Sequence, residues 1–189
     1  MNNQAPLTAS LGADIRALRK ARNLTLNNMA ARLGRSVGWL SQVERDLSEP
    51  SISDLRQIAG CLEVPMSMLF GHSNAPAQEQ GYVVRSGARR PMGSGDEGLV
   101  EELLSPDLTD DFEMVHSTFQ AHSKMQTPAD RPTQEVGYII SGKLDLMIGN
   151  REFTVSAGDS FRIRHEPYQW ANPYDKPAVA IWAIAPPVY

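Results

Sequence analysis

At 189 residues the chain is long enough for two small domains, and a formal net charge of −4 with a pI near 5.6 excludes a uniformly basic nucleic-acid coat. The average hides a division: residues 1–70 carry eight Lys/Arg against six Asp/Glu, residues 71–189 ten against sixteen, and through residue 35 the only acid is Asp14. A single cysteine, Cys61, excludes an internal disulfide, and neither a leader-like opening nor an apolar run of membrane-spanning length is visible, so the expected setting is the reducing cytoplasm, away from any membrane.

The first 70 residues have helical period. Leu11, Ile15 and Leu18 recur at i, i+4 and i+7 with Arg16, Arg19 and Lys20 off that stripe, which predicts a helix with one buried and one basic face. Asn23 suits a left-handed end to it, and Thr25 caps a second, short helix over "LNNMAARL" that stops at Gly34. Ser36 caps a third over "VGWLSQVER"; two helices joined by about three residues with glycine at the bend are the recipe for a helix-turn-helix. Pro50 and Ser51 open a fourth, where "SISD" offers a capping-box-like pattern and Ile52, Leu55, Ala59 and Leu62 form the inner stripe. Cys61, within this apolar stretch, reads as a buried structural thiol. Pro65 starts a last turn expected to bury Met66, Leu69 and Phe70.

Residues 9–70 resemble the phage-repressor-type, or XRE-family, helix-turn-helix, through "IRALRKARNLTL", "WLSQVERDLSEPS" and "VPMSMLF". The resemblance implies a five-helix bundle that binds double-stranded DNA. Where the family usually has glycine after "VER" this chain has Asp46, which tolerates the left-handed region better than most residues. At about 100° per residue, Leu40 and Val43 of the third helix face one way, and Val37, Gly38, Ser41, Gln42 and Arg45 face the other, outward. Gln42 can pair with adenine N6 and N7, Val37 can meet a thymine methyl, and Arg35 and Ser36 at the helix start suit phosphate, aided by the helix dipole. Trp39 is assigned to packing or to the DNA backbone rather than to base reading.

"GHSNAPAQEQ", residues 71–80, reads as a polar linker. Over residues 81–189 helical period gives way to short β-rich runs: "GYVVRS", "FEMVHSTFQA", "VGYIISGKLDLMIGNREFTV", "DSFRI" and "AVAIWAIA". In "KLDLMIGN" the residues Leu144, Leu146 and Ile148 alternate with Asp145 and Met147 before a Gly149–Asn150 turn, a half-buried antiparallel hairpin; "AVAIWAIA" is apolar throughout, as expected of a strand covered on both faces. The fold class is therefore α + β with two domains, helical over 1–70 and an antiparallel β-barrel over 81–189.

A second resemblance, over roughly residues 110–189, is to the cupins, small double-stranded β-helix barrels. "EVGYIISG" supplies Glu135 and Gly142 of the family's first motif, and the stretch from "AGDS" to "PYQWAN" supplies Pro167 and Asn172 of the second. Fold residues match; metal ligands do not. "TPADRPTQE" contains no His, the nearest ligand position corresponds to Arg131, and the final His corresponds to Tyr168. Divalent iron, zinc or manganese needs imidazoles and carboxylates converging on one point, and Arg131 would repel a cation. The turn between Gly158 and Tyr168 is one residue shorter than the family's, which leaves His165 as an alternative inward group, and His116, His122 and Glu135 as a rebuilt metal set. No metal, cofactor or catalytic residue is expected.

Together the resemblances imply a DNA-binding regulator with a small-molecule sensing barrel, which in the family dimerises so that two helix-turn-helix units read an inverted-repeat operator. Arg131, Glu135, Tyr168 and Trp170 form the expected effector site: Arg131 clamps a carboxylate, phosphonate or sulfonate, Glu135 holds an amine, and an amino acid or related zwitterion is the first class to test. Three other readings stay open. Arg131 and Glu135 pair with each other and the barrel only dimerises; the chain is an iron-dependent oxidase like the fosfomycin-type epoxidases fused to this same helix-turn-helix, for which the metal triad is the discriminator; or it is an antitoxin-like partner, which the second domain argues against.

Overall fold

The computed structural model describes residues 10–70, 76, 78–79, 81–92, 98–106, 108 and 110–188, so the expected linker over 71–80 falls largely outside the described residues. The chain divides into two compact units: Met1–Arg90 with Pro106–Thr109 and Tyr189, and Pro91–Ser105 with Asp110–Val188.

The first unit is built from α1 (Leu11–Ala21), α2 (Leu26–Arg32), α3 (Val37–Val43) and α4 (Ile52–Leu62), and a 3-10 turn over Met66–Phe70 stands where a fifth helix was expected. Each α-helix starts on a side-chain cap. Ser10, Thr25, Ser36 and Ser51 accept the amides of Ala13, Asn28, Trp39 and Asp54, and Asp54 returns a bond to complete a capping box. Between α2 and α3 the chain turns at Gly34, whose φ of 62° favours glycine. Asp46, at φ 56°, adopts the left-handed conformation its position demands and adds a function glycine lacks: its carboxylate accepts the Ser10 hydroxyl and, at 2.9 Å, the Gly12 amide, fastening the end of α3 to the start of α1. Ile15, Leu18, Met29, Leu40, Val43, Leu55, Ile58 and Leu62 fill the core.

Two expectations for this unit are corrected. Ile52 is 66% exposed, because the buried stripe of α4 is Leu55, Ile58, Ala59 and Leu62 and the first residue overhangs it. Arg19 does not belong to an exposed basic face. It is buried at the border of the α1 stripe, where its Nε and second terminal nitrogen donate to the two Glu44 oxygens at 2.5 and 2.9 Å and the remaining nitrogen donates to the Leu24 carbonyl at 2.7 Å. Glu44, one turn beyond Leu40, supplies the counter-charge that makes burial tolerable. Met66 and Cys61 are half-buried and Leu69 is buried; the Phe70 side chain is outside the described set. Residues 81–86, expected as a strand, form a turn and irregular chain that enters a 3-10 turn at Ser86–Ala88, with Tyr82 76% exposed: β-propensity without a partner strand does not make a strand.

The β strands are β1 (Arg90–Met92), β2 (Leu99–Leu103), β3 (Glu113–Phe119), β4 (Ser123–Lys124), β5 (Gln134–Ser141), β6 (Lys143–Ile148), β7 (Arg151–Ser156), β8 (Ser160–Arg164), β9 (Tyr168–Asn172) and β10 (Ala178–Ala185). They form a six-stranded sheet in the order β1-β2-β3-β10-β5-β8 and a four-stranded sheet β4-β9-β6-β7. Both contribute to one core, with Val115, Ile139, Trp182 and Ile184 from the first and Leu144, Leu146, Ile148 and Trp170 from the second. The expected β6–β7 hairpin is present, Leu144, Leu146 and Ile148 pointing inward. Gly142 lies at φ 79°, and a Cβ there would meet the Pro177 carbonyl at 2.5 Å, so conformation and space both require glycine. β10 departs from expectation: Ala178, Ala180, Trp182 and Ile184 are buried, while Val179 and Ile181 are half-covered and Ala183 is exposed, so within one chain only its inner face is covered. No helix among the described residues is long and apolar enough to cross a membrane.

Candidate functional sites

The α3 surface follows from its cap and its period. Leu40 and Val43 are buried at 0% and 1% exposure, which turns Val37, Gly38, Gln42 and Arg45 to solvent with Ser41 half-buried beside them. Ser36 is exposed, its hydroxyl accepting the Trp39 amide at 3.1 Å. Arg35 is held by two contacts: a terminal nitrogen lies 2.5 Å from Asp54 Oδ1, and its guanidinium stands 5.1 Å from the Trp39 ring centroid. Trp39 therefore orients a cation. The Ser51 hydroxyl, and after it Arg35, hold the Asp54 carboxyl below its ordinary range. Arg45 folds back on its own helix, Nε donating to the Ser41 carbonyl at 3.0 Å, and with Arg16 and Lys20 completes an exposed set of cations with no acid of α1 among them.

In the β unit, strand alternation places Glu113, Val115, Ser117 and Phe119 of β3 and Glu135, Gly137 and Ile139 of β5 on the inner face. Ile184 of β10 pairs with Glu113 on one side and Glu135 on the other, so the two glutamates flank it. Glu135 is 1% exposed; its Oε1 accepts the Thr133 hydroxyl at 2.7 Å. Glu113, fully buried, accepts the Val188 amide on Oε1 at 3.1 Å. Glu101 of β2 accepts the Ser117 hydroxyl at 3.0 Å. The Oε2 atoms of Glu113 and Glu135 have no hydrogen-bond partner among the described residues. Burial pushes Glu113 up to about 7 and raises Glu101 too, against the pull of Arg131; burial first, and Glu135 second, hold the Tyr168 hydroxyl far above its usual range, so it stays a neutral donor.

The four expected effector residues part ways. Glu135 and Tyr168 come together in the interior. Arg131 is solvent-exposed, on the segment entering β5, and among the described residues it forms no ion pair within 4 Å of Glu135; it acts on the carboxylates through its field alone. Trp170 is core, edge-on to Phe119 with centroids 4.8 Å apart, and borders a hollow of about 510 Å³ with Lys124, Asp145, Met147, Glu152 and Gln169 that includes none of the carboxylates flanking Ile184. The rebuilt histidine set is not assembled. His116 is on the outward face of β3, 3.8 Å from Glu102; His122 sits beyond the end of β3 at φ 58°, 3.2 Å from Asp175; His165 is exposed in its turn. Asn172 is a clasp, its amide donating to the Phe119 and Lys176 carbonyls at 3.0 and 2.9 Å.

Sequence reasoning missed Glu101, Glu113, Ser117 and Thr133. One signal was available: in "FEMVHSTF" the odd positions Val115 and Phe119 are the buried set, and Glu113 and Ser117 share their parity.

Comparison with known proteins agrees with this division. A helix-turn-helix domain family matches residues 10–68 and a cupin domain family residues 115–184. An immunity repressor protein of Bacillus phage phi105 is 35% identical over 71 residues, 38% of this chain and 49% of that repressor, so this chain matches about half of the repressor's length. The HTH-type transcriptional regulator SutR of Escherichia coli K12 is 28% identical over 159 residues, 82% of this chain and 83% of that protein. Among solved structures, an HTH_3 family transcriptional regulator from Vibrio cholerae is 23% identical, with 94% of this chain and 96% of that chain covered and a TM-score of 0.46.

Proposed function

We propose, from the premise that this chain is a helix-turn-helix transcriptional regulator carrying a cupin domain, that it acts in the cytoplasm as a homodimer on an inverted-repeat operator and that its β unit senses a small organic effector without a metal. Residues 1–70 are assigned to DNA, 71–80 to a linker and 81–189 to sensing and dimerisation, with the two sheets as halves of a closed barrel.

The observation that carries the DNA reading is α3: capped at Ser36, anchored by Leu40 and Val43, and open to solvent at Val37, Gly38, Gln42 and Arg45. Gln42 is the base reader, Val37 a methyl contact, Ser41 and Arg45 flanking contacts, and Arg35 with Ser36 the phosphate anchors. The dimer reading is supported by the outer face of the six-stranded sheet, where Val136, Tyr138 and Ile140 of β5 are 49%, 47% and 51% exposed beside Ile181 of β10. The effector reading is supported by Glu135 and Tyr168 inside and Arg131 at the solvent side, where a carboxylate of a zwitterion can reach it.

Arg131 and Tyr168 in the positions of metal ligands favour a regulator over an oxidase. Binding-site selection from random duplexes with the full chain should enrich an inverted repeat, with log affinity falling linearly with log salt. Recovery of no enriched repeat would overturn the regulator reading, and stoichiometric iron in the purified protein would favour the oxidase.

A further inference from the structure

We propose that Glu113 and Glu135 form a seat for an organic primary ammonium group, so that the effector of this β unit is an amine or carries one. The inference rests on the sensor reading above and names the ligand class and a residue, Glu113, outside the site expected from sequence.

The geometry is that of two carboxylates separated by one strand. Glu113 and Glu135 both register with Ile184, which places their backbones about 10 Å apart at the ordinary strand spacing. Both side chains project to the inner face, with that of Ile184 between their strands. Each is essentially inaccessible, at 0% and 1% exposure, and each has one oxygen satisfied by a protein donor and the other, Oε2, satisfied by none among the described residues. A buried acceptor without a donor is costly; the neutral Tyr168 hydroxyl reaches the Glu135 carboxylate, and Glu113 Oε2 is the acceptor for which the described residues supply none.

The missing donor is an ammonium rather than a metal or an anion. No group of three His, Cys, Asp or Glu among the described residues stands close enough to hold a metal ion. An ammonium carries three N–H donors and bonds at about 2.8 Å, so it spans carboxylates that a metal with bonds near 2 Å would have to draw together. Glu101 adds a third acid, and the cation within their field, Arg131, remains on the solvent side. An anion would enter against that charge. Burial leaves Glu113 about half protonated near neutrality, and an arriving cation lets it ionise, which strengthens the contact. Ile184, paired with both glutamates, and Ile163, paired with Glu135, make the surroundings of the carboxylates apolar.

The test uses the full chain and three probes that share a three-carbon chain: propylamine, β-alanine and propionate, each followed by thermal shift and by NMR titration. Propylamine and β-alanine should raise the melting temperature and propionate should not. Glu113→Gln keeps an acceptor for the Val188 amide, so it should fold; it should weaken propylamine by about tenfold or more, as should Glu135→Gln. Arg131→Ala should leave propylamine within about twofold and weaken β-alanine, whose carboxylate it meets. Binding of propionate alone, no response to either amine, or propylamine binding that survives both glutamine variants overturns the proposal. Operator selection separates the two layers: a selected operator with no amine response removes only the ammonium seat, whereas no operator removes the regulator reading on which it rests.

Discussion

The helical unit satisfies its buried charges and the β unit does not. Around α1 and α3 each interior ion has a partner in place: Arg19 meets Glu44 through two bonds, Asp46 holds Ser10 and Gly12, and Asp54 is divided between Ser51 and Arg35. Among the described residues, the two carboxylates around Ile184 each have an oxygen without a hydrogen-bond partner, in a field where acids outnumber the exposed Arg131. Satisfied polar networks fix one arrangement, which suits a scaffold whose task is to hold α3 at a set angle. Unsatisfied ones carry a desolvation cost that a donor would relieve, which is the ground for the proposed ammonium seat. The difference is one of chemistry within each unit.

The contrast is broken most sharply at Glu44. Glu44→Ala strands a buried guanidinium, so stability of the helical unit should fall by about 3–5 kcal/mol in denaturant melts; a loss below about 1 kcal/mol would mean that the pair is solvated and the unit is not held as described. The next largest effect is at Glu113 and has the opposite sense. Its native proton affinity, about 7 against the ordinary 4.5, is raised, so the neutral form favours folding: the contribution is complete below pH 4.5 and is lost as pH rises through 7, amounting to about 3 kcal/mol. Arg131, Glu101 and Glu135 are the charged groups that face it. Glu113→Gln should flatten that slope and leave the β unit more stable than the parent at pH 8. A parent whose β unit melts equally at pH 5 and pH 8 would contradict the burial of an unpaired carboxyl.

How much of this was legible in the sequence depends on range. Caps are local, so Thr25, Ser36, Ser51 and the Gly34 turn could be read directly, and period was enough to send Leu40 and Val43 inward and Gln42 outward. Arg19 was misread because period alone sees a cation at the edge of a stripe, whereas its partner Glu44 lies 25 residues away. In the β unit the hairpin at Gly149 was legible for the same local reason. Glu113 and Glu135 meet only through β10, more than 40 residues beyond either, and no short-range pattern carries that register. The apolar run of β10 suggested cover on both faces; one chain covers one, and the other is where a second copy is proposed. Tyr168 and Arg131 read in the sequence as departures from metal ligands; which of them entered the interior was decided by strand parity and loop path.

The measurement that bears most directly on the central claim is the affinity of the full chain and of Gln42→Ala and Arg35→Ala for a selected operator and for its single-base variants at fixed salt. Gln42→Ala should cost about 1–3 kcal/mol on the operator and abolish discrimination at one position in each half-site, while Arg35→Ala weakens every duplex by the same factor. If Gln42→Ala instead weakens all duplexes equally, or changes nothing, α3 is not the helix that reads the bases.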